Sequence, residues 1–426
     1  MEMFAAELEP RKDVKKYMEL LLKEGHELYL ISNRVYPDYK YPEKTTKKWL
    51  QKYQIPYTKL IFSKTIDKSS ECIENNIDIM FDDSVRNCEI LKGSNVPVCM
   101  MTTKLNYIHR GYLPYVRNFK ELYERVKDMT ERKHIILDTD MANEVDDRFA
   151  LTYLMSSLDN IEVDAITIAP FWKSGYAEDL SIADGTELSY QTTLKILDMI
   201  GASSYKDKVY KGATAYMEEA SNNEAVDKII EISQKNEKTI IVAIGTITNI
   251  ALAFQREPSI IEKVEIIWLG GNSFLSHQNE EFNFRQDIKA ARTVFESQVS
   301  LTVIPCRNVA ANLVTTSFEL EHYLLGSNIG RYLCEEFKNC KKKHYKDLED
   351  EIGSSKTLWD LSAIGYLLNK DWFVTEKISC PYILENGMYE KTDNRHEVTF
   401  VNDLFRNKIF HDYFKKMERY NGKDIN

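Results

Sequence analysis

The chain has 426 residues, of which 43% are hydrophobic and 29% are charged, and its formal net charge is −10 at pH 7. These values are typical of a soluble globular protein with at least two domains. The acidic balance excludes nucleic acid as a main partner, since phosphate binding needs a basic surface. No apolar run is long enough to cross a membrane, and the first ten residues lack a signal-peptide pattern, so we expect no membrane association.

The cysteine content indicates a reducing environment. The seven cysteines are odd in number and scattered, and no Cys-x-x-Cys pair occurs among them. Neither a disulfide framework nor a zinc site is therefore indicated. We expect the protein to reside in the cytoplasm.

Residues 10 to 128 alternate helical and strand patterns. A helix after Pro10 ends at the stop signal Lys23-Glu24-Gly25. Four apolar strand candidates follow, separated by helical segments: Leu28–Ser32, Leu60–Phe62, Ile77–Phe81 and Val96–Met101. Such alternation predicts a parallel sheet flanked by helices. We place a first domain at residues 1–130 and a second at 131–426, joined by the polar stretch from Met129 to Lys133.

Polar residues stand at or after the ends of these first strands: Ser32, Lys68 and Asp82-Asp83. The pattern resembles the C-terminal half of a haloacid-dehalogenase-type phosphatase domain, over roughly residues 10–128. The resemblance implies that Ser32 and Lys68 grip a phosphoryl group and that the acidic pair helps to hold Mg²⁺.

The nucleophile of that phosphatase family, the first Asp of an Asp-x-Asp motif, has no counterpart before Pro10. Without a nucleophile no phospho-aspartate can form, so we expect a non-catalytic domain. The absent strand would lie between the Leu28 and Ile77 strands, so the sheet should close up or stay poorly covered. A true start upstream of Met1 is the alternative, and the domain would then be a nucleotide phosphatase.

The second domain opens with the densest acidic stretch of the chain. Residues 134–151 read HIILDTDMANEVDDRFAL, which predicts a buried strand end, a short loop and an amphipathic helix. The loop region carries five carboxylates: Asp138, Asp140, Glu144, Asp146 and Asp147. Carboxylates this close repel one another unless a cation lies among them, and a loop without Cys or His favours Ca²⁺, or as the second choice Mg²⁺, over zinc. The alternative is that they are solvated or cap the helix.

This stretch is similar to the N-terminal signature of the inosine-uridine-type nucleoside hydrolases, Asp-x-Asp-Pro-Gly-x-Asp-Asp. Two extra residues lie between Asp140 and Asp146, and Met-Ala-Asn-Glu-Val replaces the Pro-Gly turn. The resemblance continues to the end of the chain through three later motifs: residues 245–251 (GTITNIA), Glu281-Phe282-Asn283, and Trp359-Asp360.

The resemblance implies a role for each matching residue. Calcium would be held by the side chains of Asp140, Asp147 and Asp360 and by the carbonyl of Thr248, with Asp140 also acting as general base. The sugar hydroxyls would be contacted by Asp146, Glu281 and Asn283, and by Asn272 after the strand Val264–Leu269.

Three places depart from that family's pattern. Trp359 replaces a His linked to activation of the leaving base, and a Trp can stack on a base but cannot protonate it. His277 is then the one nearby candidate acid. The family's Asn after the next strand is missing at Ala169-Pro170-Phe171, and the polar stretch from Ser174 to Tyr190 is either an active-site flap or a solvated loop.

These observations predict an α/β protein of two domains, each built on a mostly parallel sheet flanked by helices. The expected activity is Ca²⁺-dependent hydrolysis of the N-glycosidic bond of a ribonucleoside, giving free base and ribose. A nucleoside- or sugar-binding protein that keeps the metal cradle without catalysis stays open. The expected partner is a small nucleoside, and a homo-oligomer is left open. The fused phosphatase-like domain suggests nucleotide salvage, in which dephosphorylation is followed by removal of the base. This suggestion rests on the pairing of the two domains and not on a mechanism.

Overall fold

The structure is a computed structural model that describes residues 8–33, 41–94, 96–106, 113–172, 180–275, 279–344 and 355–422. The chain divides into two compact units, Met1–Glu131 (unit 1) and Arg132–Asn426 (unit 2). None of the described helices combines the length and the apolar character needed to cross a membrane.

Unit 1 alternates helices and short parallel strands. Two of its helices begin at side chains that accept a backbone N–H: Ser84 accepts from Asn87, and Asn118 accepts from Glu121. The helices are α1 Val14–Lys23, α2 Pro42–Tyr53, α3 Ser69–Glu74, α4 Val85–Gly93 and α5 Phe119–Thr130. The strands are β1 Tyr29–Ser32, β2 Lys59–Phe62, β3 Met80–Asp82, β4 Val98–Met101 and β5 Tyr115–Val116.

The strands of unit 1 fall into two separate parallel sheets, β1-β2 and β3-β4-β5. β1 and β3 do not pair with each other; residues of both line a cavity of about 780 Å³, together with apolar side chains such as Met18, Leu21 and Phe119. The sequence predicted that this sheet would either close up or stay poorly covered. In the structure the two parts do not close up, and a cavity lined by β1 and β3 remains.

Unit 2 is built on one sheet of eight strands in the order β14-β17-β11-β10-β9-β6-β7-β8. All neighbouring strands run parallel except the edge strand β14, which is antiparallel to β17. The sheet strands are β6 Lys133–Thr139, β7 Ile161–Ile168, β8 Val209–Tyr210, β9 Thr239–Ala243, β10 Val264–Leu269, β11 Ser300–Ile304, β14 Phe373–Ser379 and β17 Glu397–Leu404. Two antiparallel pairs lie apart from it: β12 Val314–Thr316 with β13 Ser355–Thr357, and β15 Tyr382–Ile383 with β16 Tyr389–Glu390.

Helices cover both faces of this sheet. Successive residues of a strand point to opposite faces, so Ile135 and Leu137 pack in one hydrophobic core and Ile136 in the other. A strand buried on both sides explains the continuous apolar runs in the sequence. The helices are α6 Asp146–Met155, α7 Ile182–Met199, α8 Glu224–Lys235, α9 Thr248–Arg256, α10 Phe282–Arg285, α11 Ile288–Glu296, α12 Ser317–Leu324, α13 Asn328–His344, α14 Leu361–Leu368 and α15 Arg406–Met417.

Candidate functional site

The sequence motifs of unit 2 meet at the carboxyl edge of its sheet. Asp140 follows the end of β6, Thr248 follows β9, and Asn272 follows β10. These strands are parallel neighbours, so their carboxyl ends share one edge. In open α/β sheets ligands bind in the crevice beyond this edge.

Three carboxylates form the centre of the site. Asp146, Asp147 and Asp360 are buried, and one oxygen of each lies within 4.8 Å of the other two. The backbone N–H of Asp360 donates to Oδ2 of Asp146 at 3.3 Å, and the Thr139 hydroxyl donates to Oδ1 of Asp147 at 2.5 Å. The start of α6 and the start of α14 are thereby held together.

The charges of this cluster do not balance by themselves. Burial raises the pKa of Asp147 and that of Asp360, and the charge of Asp146 raises both further. Oδ1 of Asp146 is buried without a hydrogen-bond partner in the described part of the chain. A set of close, buried, hard oxygen atoms with an unused acceptor fits a divalent cation of the Ca²⁺ or Mg²⁺ type.

Asp140 borders this cluster. Its Oδ2 accepts the Asn143 amide at 2.9 Å, while burial and then the charge of Asp147 raise the pKa of its carboxyl well above the ordinary value. Asp146 therefore stands in the close group of three and Asp140 beside it, whereas the sequence placed Asp140 among the metal ligands and Asp146 on the sugar.

Thr248, the first residue of α9, is fully buried. Its hydroxyl donates to Oδ2 of Asp287 at 2.6 Å, so the side chain neither caps the helix nor is free for a ligand. A role in metal binding would rest on the backbone carbonyl, as the resemblance implies.

Asp138 and Asn249 tie three strand ends together behind the cluster. Asn249 donates to Oδ1 of Asp138 at 3.0 Å and to the Ile168 carbonyl at 2.9 Å, and it accepts the Ala213 N–H at 3.0 Å. The Thr167 hydroxyl also donates to Asp138, at 2.6 Å. Burial raises the pKa of Asp138 to about 6. The first Asp of the Asp-Thr-Asp motif thus positions the neighbouring loops.

Three of the four residues expected at the sugar, Asn272, Glu281 and Asn283, differ in their contacts. The Asn283 amide donates to the carbonyls of Ile244 and Leu269, both at 3.0 Å, which joins the ends of β9 and β10. Asn272 accepts the Arg307 N–H at 3.1 Å, but its buried amide nitrogen has no partner in the described residues. Of these two, Asn272 is therefore the one with an unused donor for a ligand.

Glu281 is the N-cap of α10 and accepts three backbone N–H groups, from Gly271 at 2.7 Å, Phe284 at 2.9 Å and Asn283 at 3.0 Å. Burial raises the pKa of its carboxyl, and these hydrogen bonds oppose the rise. These three hydrogen bonds hold the loop after β10 in place. A sugar hydroxyl that donated to Glu281 would be a fourth hydrogen bond to this carboxylate.

Two polar groups beside Glu281 were missed from sequence. The buried hydroxyl of Tyr389 approaches Gly271 so closely that a Cβ there would lie 2.3 Å away, and Gly271 has φ +73°. Within the described residues, neither this hydroxyl nor the side chain of Asn279 has a hydrogen-bond partner of good geometry. Asn279 lies in the same loop as the Glu-Phe-Asn motif, so it could have been named as a site residue from sequence. Tyr389 lies in the β15-β16 hairpin, far along the chain, and belongs to no motif.

A lysine was also missed. Lys356 Nζ forms an ion pair with Glu144 and lies 4.8 Å from the ring centroid of Trp359, which is half-buried. Trp359 itself stands next to Asp360, as the sequence predicts. His277 lies outside the described residues, so the candidate acid named from sequence is not placed.

The predicted flap is only partly described, because residues 173–179 lie outside the described ranges. Its second half is not a loop: α7 begins at Ile182, where the Ser181 hydroxyl accepts the Asp184 N–H. The helix was not predicted because small and polar residues alternate over its first turns.

In unit 1 two of the residues expected at a phosphate site, Lys68 and Asp82, bind each other. Lys68 Nζ and Oδ2 of the buried Asp82 form an ion pair at 2.6 Å, and the Asn87 amide lies 3.2 Å from both oxygens of that carboxylate. Asp83 is exposed, and Ser32 lines the cavity at the end of β1.

Comparison with known proteins places both units. The sequence model of the family described as inosine-uridine preferring nucleoside hydrolase matches residues 135–411, and that of the cytosolic type C 5′(deoxy, pyrimidine) nucleotidases matches residues 1–172. The second match runs past the boundary between the units and covers β6 and α6 as well.

Relatives and solved structures agree with the first match. A probable ribonucleoside hydrolase of Dictyostelium discoideum is 38% identical over 84 residues, 19% of this chain and 25% of that protein. The pyrimidine-specific ribonucleoside hydrolase RihB of Escherichia coli O1:K1 / APEC is 27% identical over 173 residues, 40% of this chain and 54% of that protein. The chain thus spans about a quarter and about half of these two curated relatives.

Two solved structures share the fold. A purine-preferring ribonucleoside hydrolase from Gardnerella vaginalis has a TM-score of 0.54 at 21% identity, covering 68% of this chain and 99% of that one. The plant nucleoside hydrolase PpNRh1 has a TM-score of 0.53 at 18% identity, covering 67% and 99%.

Fold and site together define an α/β protein with an acidic, metal-type site at the carboxyl edge of a parallel sheet. Because the family model matches well over half of the 426 residues, the chain belongs to the inosine-uridine preferring nucleoside hydrolase family. The expected resemblance and the α/β fold class are confirmed.

Proposed function

We propose that unit 2 hydrolyses the N-glycosidic bond of a ribonucleoside in a Ca²⁺-dependent reaction. The observation that carries this proposal is the convergence of two proposed calcium ligands, Asp147 and Asp360, with the proposed sugar ligand Asp146 at the carboxyl edge of the sheet. The names of the relatives, ribonucleoside hydrolases of pyrimidine and purine preference, support the same substrate class.

The proposed calcium ligands are the carboxylates of Asp140, Asp147 and Asp360 and the carbonyl of Thr248. Ca²⁺ is favoured over Mg²⁺ because it accepts six to eight oxygen ligands in flexible geometry, whereas Mg²⁺ demands a near-ideal octahedron. When bound, the cation would hold the attacking water and make it more acidic.

The protein side chains have distinct tasks in this reaction. Asp140 takes a proton from the water as it attacks the anomeric carbon. Asp146, Asn272, Glu281 and Asn283 hold the sugar hydroxyls, so that binding energy positions the carbon for attack. The free amide nitrogen of Asn272 supports its place in this set. Trp359 contacts the base.

A reducing-sugar assay tests the proposal. The full chain is incubated with uridine or inosine, with Ca²⁺ or with EDTA. We expect ribose release with Ca²⁺ and its loss with EDTA. Absence of release from every ribonucleoside, while nucleoside binding persists, would favour the alternative of a binding protein.

For unit 1 we propose a non-catalytic role. Among the described residues, the carboxylates that line its cavity besides Asp82 and Asp83 are Glu27, which precedes β1, and Asp78, which precedes β3. They lie at the amino ends, opposite the edge where Ser32 and Asp82 stand, so neither can attack a phosphoryl group held there.

The match to a nucleotidase family favours a phosphatase as the second candidate for unit 1. Phosphate release from uridine or deoxyuridine monophosphate in the presence of Mg²⁺ decides between the two. We expect none from this chain, and release that depends on Lys68 and Asp82 would overturn the non-catalytic assignment.

A further inference from the structure

Lys356 is held in a defined position beside the acidic cluster. It lies in β13, and its side chain is only 12% exposed. Its ammonium group pairs with the Glu144 carboxylate and faces the indole ring of Trp359, a cation–π contact. A carboxylate on one side and an aromatic ring on the other leave the ammonium few alternative positions.

The two partners of Lys356 are both departures from the nucleoside-hydrolase pattern. Glu144 belongs to the stretch Met141–Val145 that replaces the Pro-Gly turn, and Trp359 stands where that pattern has a His. Sequence gives no reason for these distant changes to occur together. In the structure they contact the same lysine, which places a cation where the imidazole is missing.

The ammonium is a fixed positive charge. Burial alone would lower the pKa of Lys356, but the negative charges of Asp146 and Glu144 outweigh this and raise the pKa above the ordinary value. An ammonium has three N–H donors, and Glu144 needs one of them. Among the described residues Glu144 is its hydrogen-bond partner, so the other donors are available to a ligand.

The chemistry of N-glycoside cleavage needs such a group. When the bond between the anomeric carbon and the base nitrogen breaks, its electron pair stays on the nitrogen, and negative charge develops on the base. An indole ring can stack on the base but cannot neutralise this charge. A hydrogen-bond donor aimed at charge that develops only in the transition state lowers the barrier.

We propose that Lys356 is a catalytic residue for departure of the base, its ammonium donating a hydrogen bond to the base while Glu144 and the indole ring of Trp359 position the lysine. This inference rests on the proposed hydrolase function. The water oxygen bonds to the anomeric carbon, its proton passes to Asp140, and the electron pair of the broken bond goes to the base. The free base takes a proton from solvent, Asp140 returns one, and Lys356 stays protonated throughout.

The test compares leaving groups that differ in their need for help. Uridine and inosine lose a poor leaving group, whereas 4-nitrophenyl β-D-ribofuranoside loses a phenolate that is stable without a donor. We expect Lys356→Met to lower kcat on both nucleosides by about a hundredfold, as removal of one transition-state donor does, and to leave kcat on the nitrophenyl riboside almost unchanged. Lys356→Arg keeps the charge and should retain most of the activity.

Controls come from the same chain. Lys238 also pairs with a glutamate, Glu265, but precedes β9 at the amino end of the sheet, so Lys238→Met should leave all three substrates unaffected. Glu144→Gln should show a smaller loss than Lys356→Met with the same selectivity for nucleosides, since it loosens the lysine without removing it.

Equal loss of kcat on nucleosides and on the nitrophenyl riboside in Lys356→Met would overturn the proposal, as would unchanged kcat on uridine and inosine. Failure of the wild-type protein to hydrolyse any of the three substrates would instead contradict the proposed function. Retained nitrophenyl riboside hydrolysis also shows that the variant is folded.

Discussion

The backbone N–H of Asp360 donates to Oδ2 of Asp146 at 3.3 Å, across 214 positions of sequence. The contact brings the start of α14 onto the start of α6 and places a third carboxylate beside Asp146 and Asp147. Two motifs that lie far apart in the sequence thereby form one cluster of buried carboxylates.

Asp140→Ala should abolish ribose release from uridine while leaving the fold intact. The substitution removes the proposed base and one metal ligand, but the side chain is a buried acid with a raised pKa, so the folded state does not depend on its charge. Steady-state kinetics and thermal unfolding measure the two effects. Asp159→Ala, an exposed acid before β7, is the control and should change neither. Near-normal turnover in Asp140→Ala would refute the assignment.

The stabilising effect of Ca²⁺ should grow with pH. Burial raises the pKa of the carboxyls of Asp147 and Asp360 above their unfolded values, so the folded apoprotein binds more protons than the unfolded chain. That stability is present below the unfolded pKa, at about pH 4, and is lost as pH rises toward the folded pKa of Asp147, about 7. Ca²⁺ needs the ionised carboxylates.

The readout is the difference in Tm with Ca²⁺ and with EDTA, measured across this pH range. It should be small at the acidic end and largest at the alkaline end, and Asp360→Asn should flatten the dependence. A Ca²⁺ effect that is independent of pH would contradict the idea that these carboxylates hold the cation.

Asn249→Ala should lower the free energy of unfolding by about 2–4 kcal/mol, because the Asp138 carboxylate, the Ile168 carbonyl and the Ala213 N–H all lose a buried partner. Denaturant unfolding measures the change. Asn312→Ala is the matched control: its amide is exposed and bonds only the Asn308 carbonyl, so its loss should be within about 0.5 kcal/mol. Equal small effects would show that Asn249 is not structural.

Asn272→Ala and Asn283→Ala should separate binding from folding. The Asn272 amide nitrogen has no partner among the described residues, so its loss should raise KM for the nucleoside by about tenfold, the value of one hydrogen bond, with little change in Tm. The Asn283 amide joins the ends of β9 and β10, so its removal should lower Tm. The opposite pattern in the two variants would reverse their assigned roles.

The α/β class and the family were predictable because they depend on short-range patterns. Continuous apolar runs such as residues 239–244 mark buried parallel strands, and the residues that follow them must gather at one edge. Asp360 could be assigned to the same edge by its motif alone. These features hold whatever the exact path of the loops.

The finer arrangement of the site was not predictable, since it depends on loop paths and on spacing between strands. The altered Met141–Val145 stretch lies directly before Asp146, which the structure places in the close group with Asp147 and Asp360. The gap between β9 and β10 lets the amide nitrogen of Asn283 donate to one carbonyl of each strand end. Lys356 and Tyr389 lie in strand pairs outside the main sheet, β12-β13 and β15-β16, and neither belongs to a sequence motif.

The most direct test of the account is a crystal grown with CaCl₂ and examined by anomalous diffraction. The account predicts one calcium peak at the carboxyl edge of the unit 2 sheet, within about 2.3–2.6 Å of oxygens from Asp140, Asp147, Asp360 and the Thr248 carbonyl. Absence of a peak at saturating Ca²⁺, or a peak bound without Asp147 and Asp360, would contradict it.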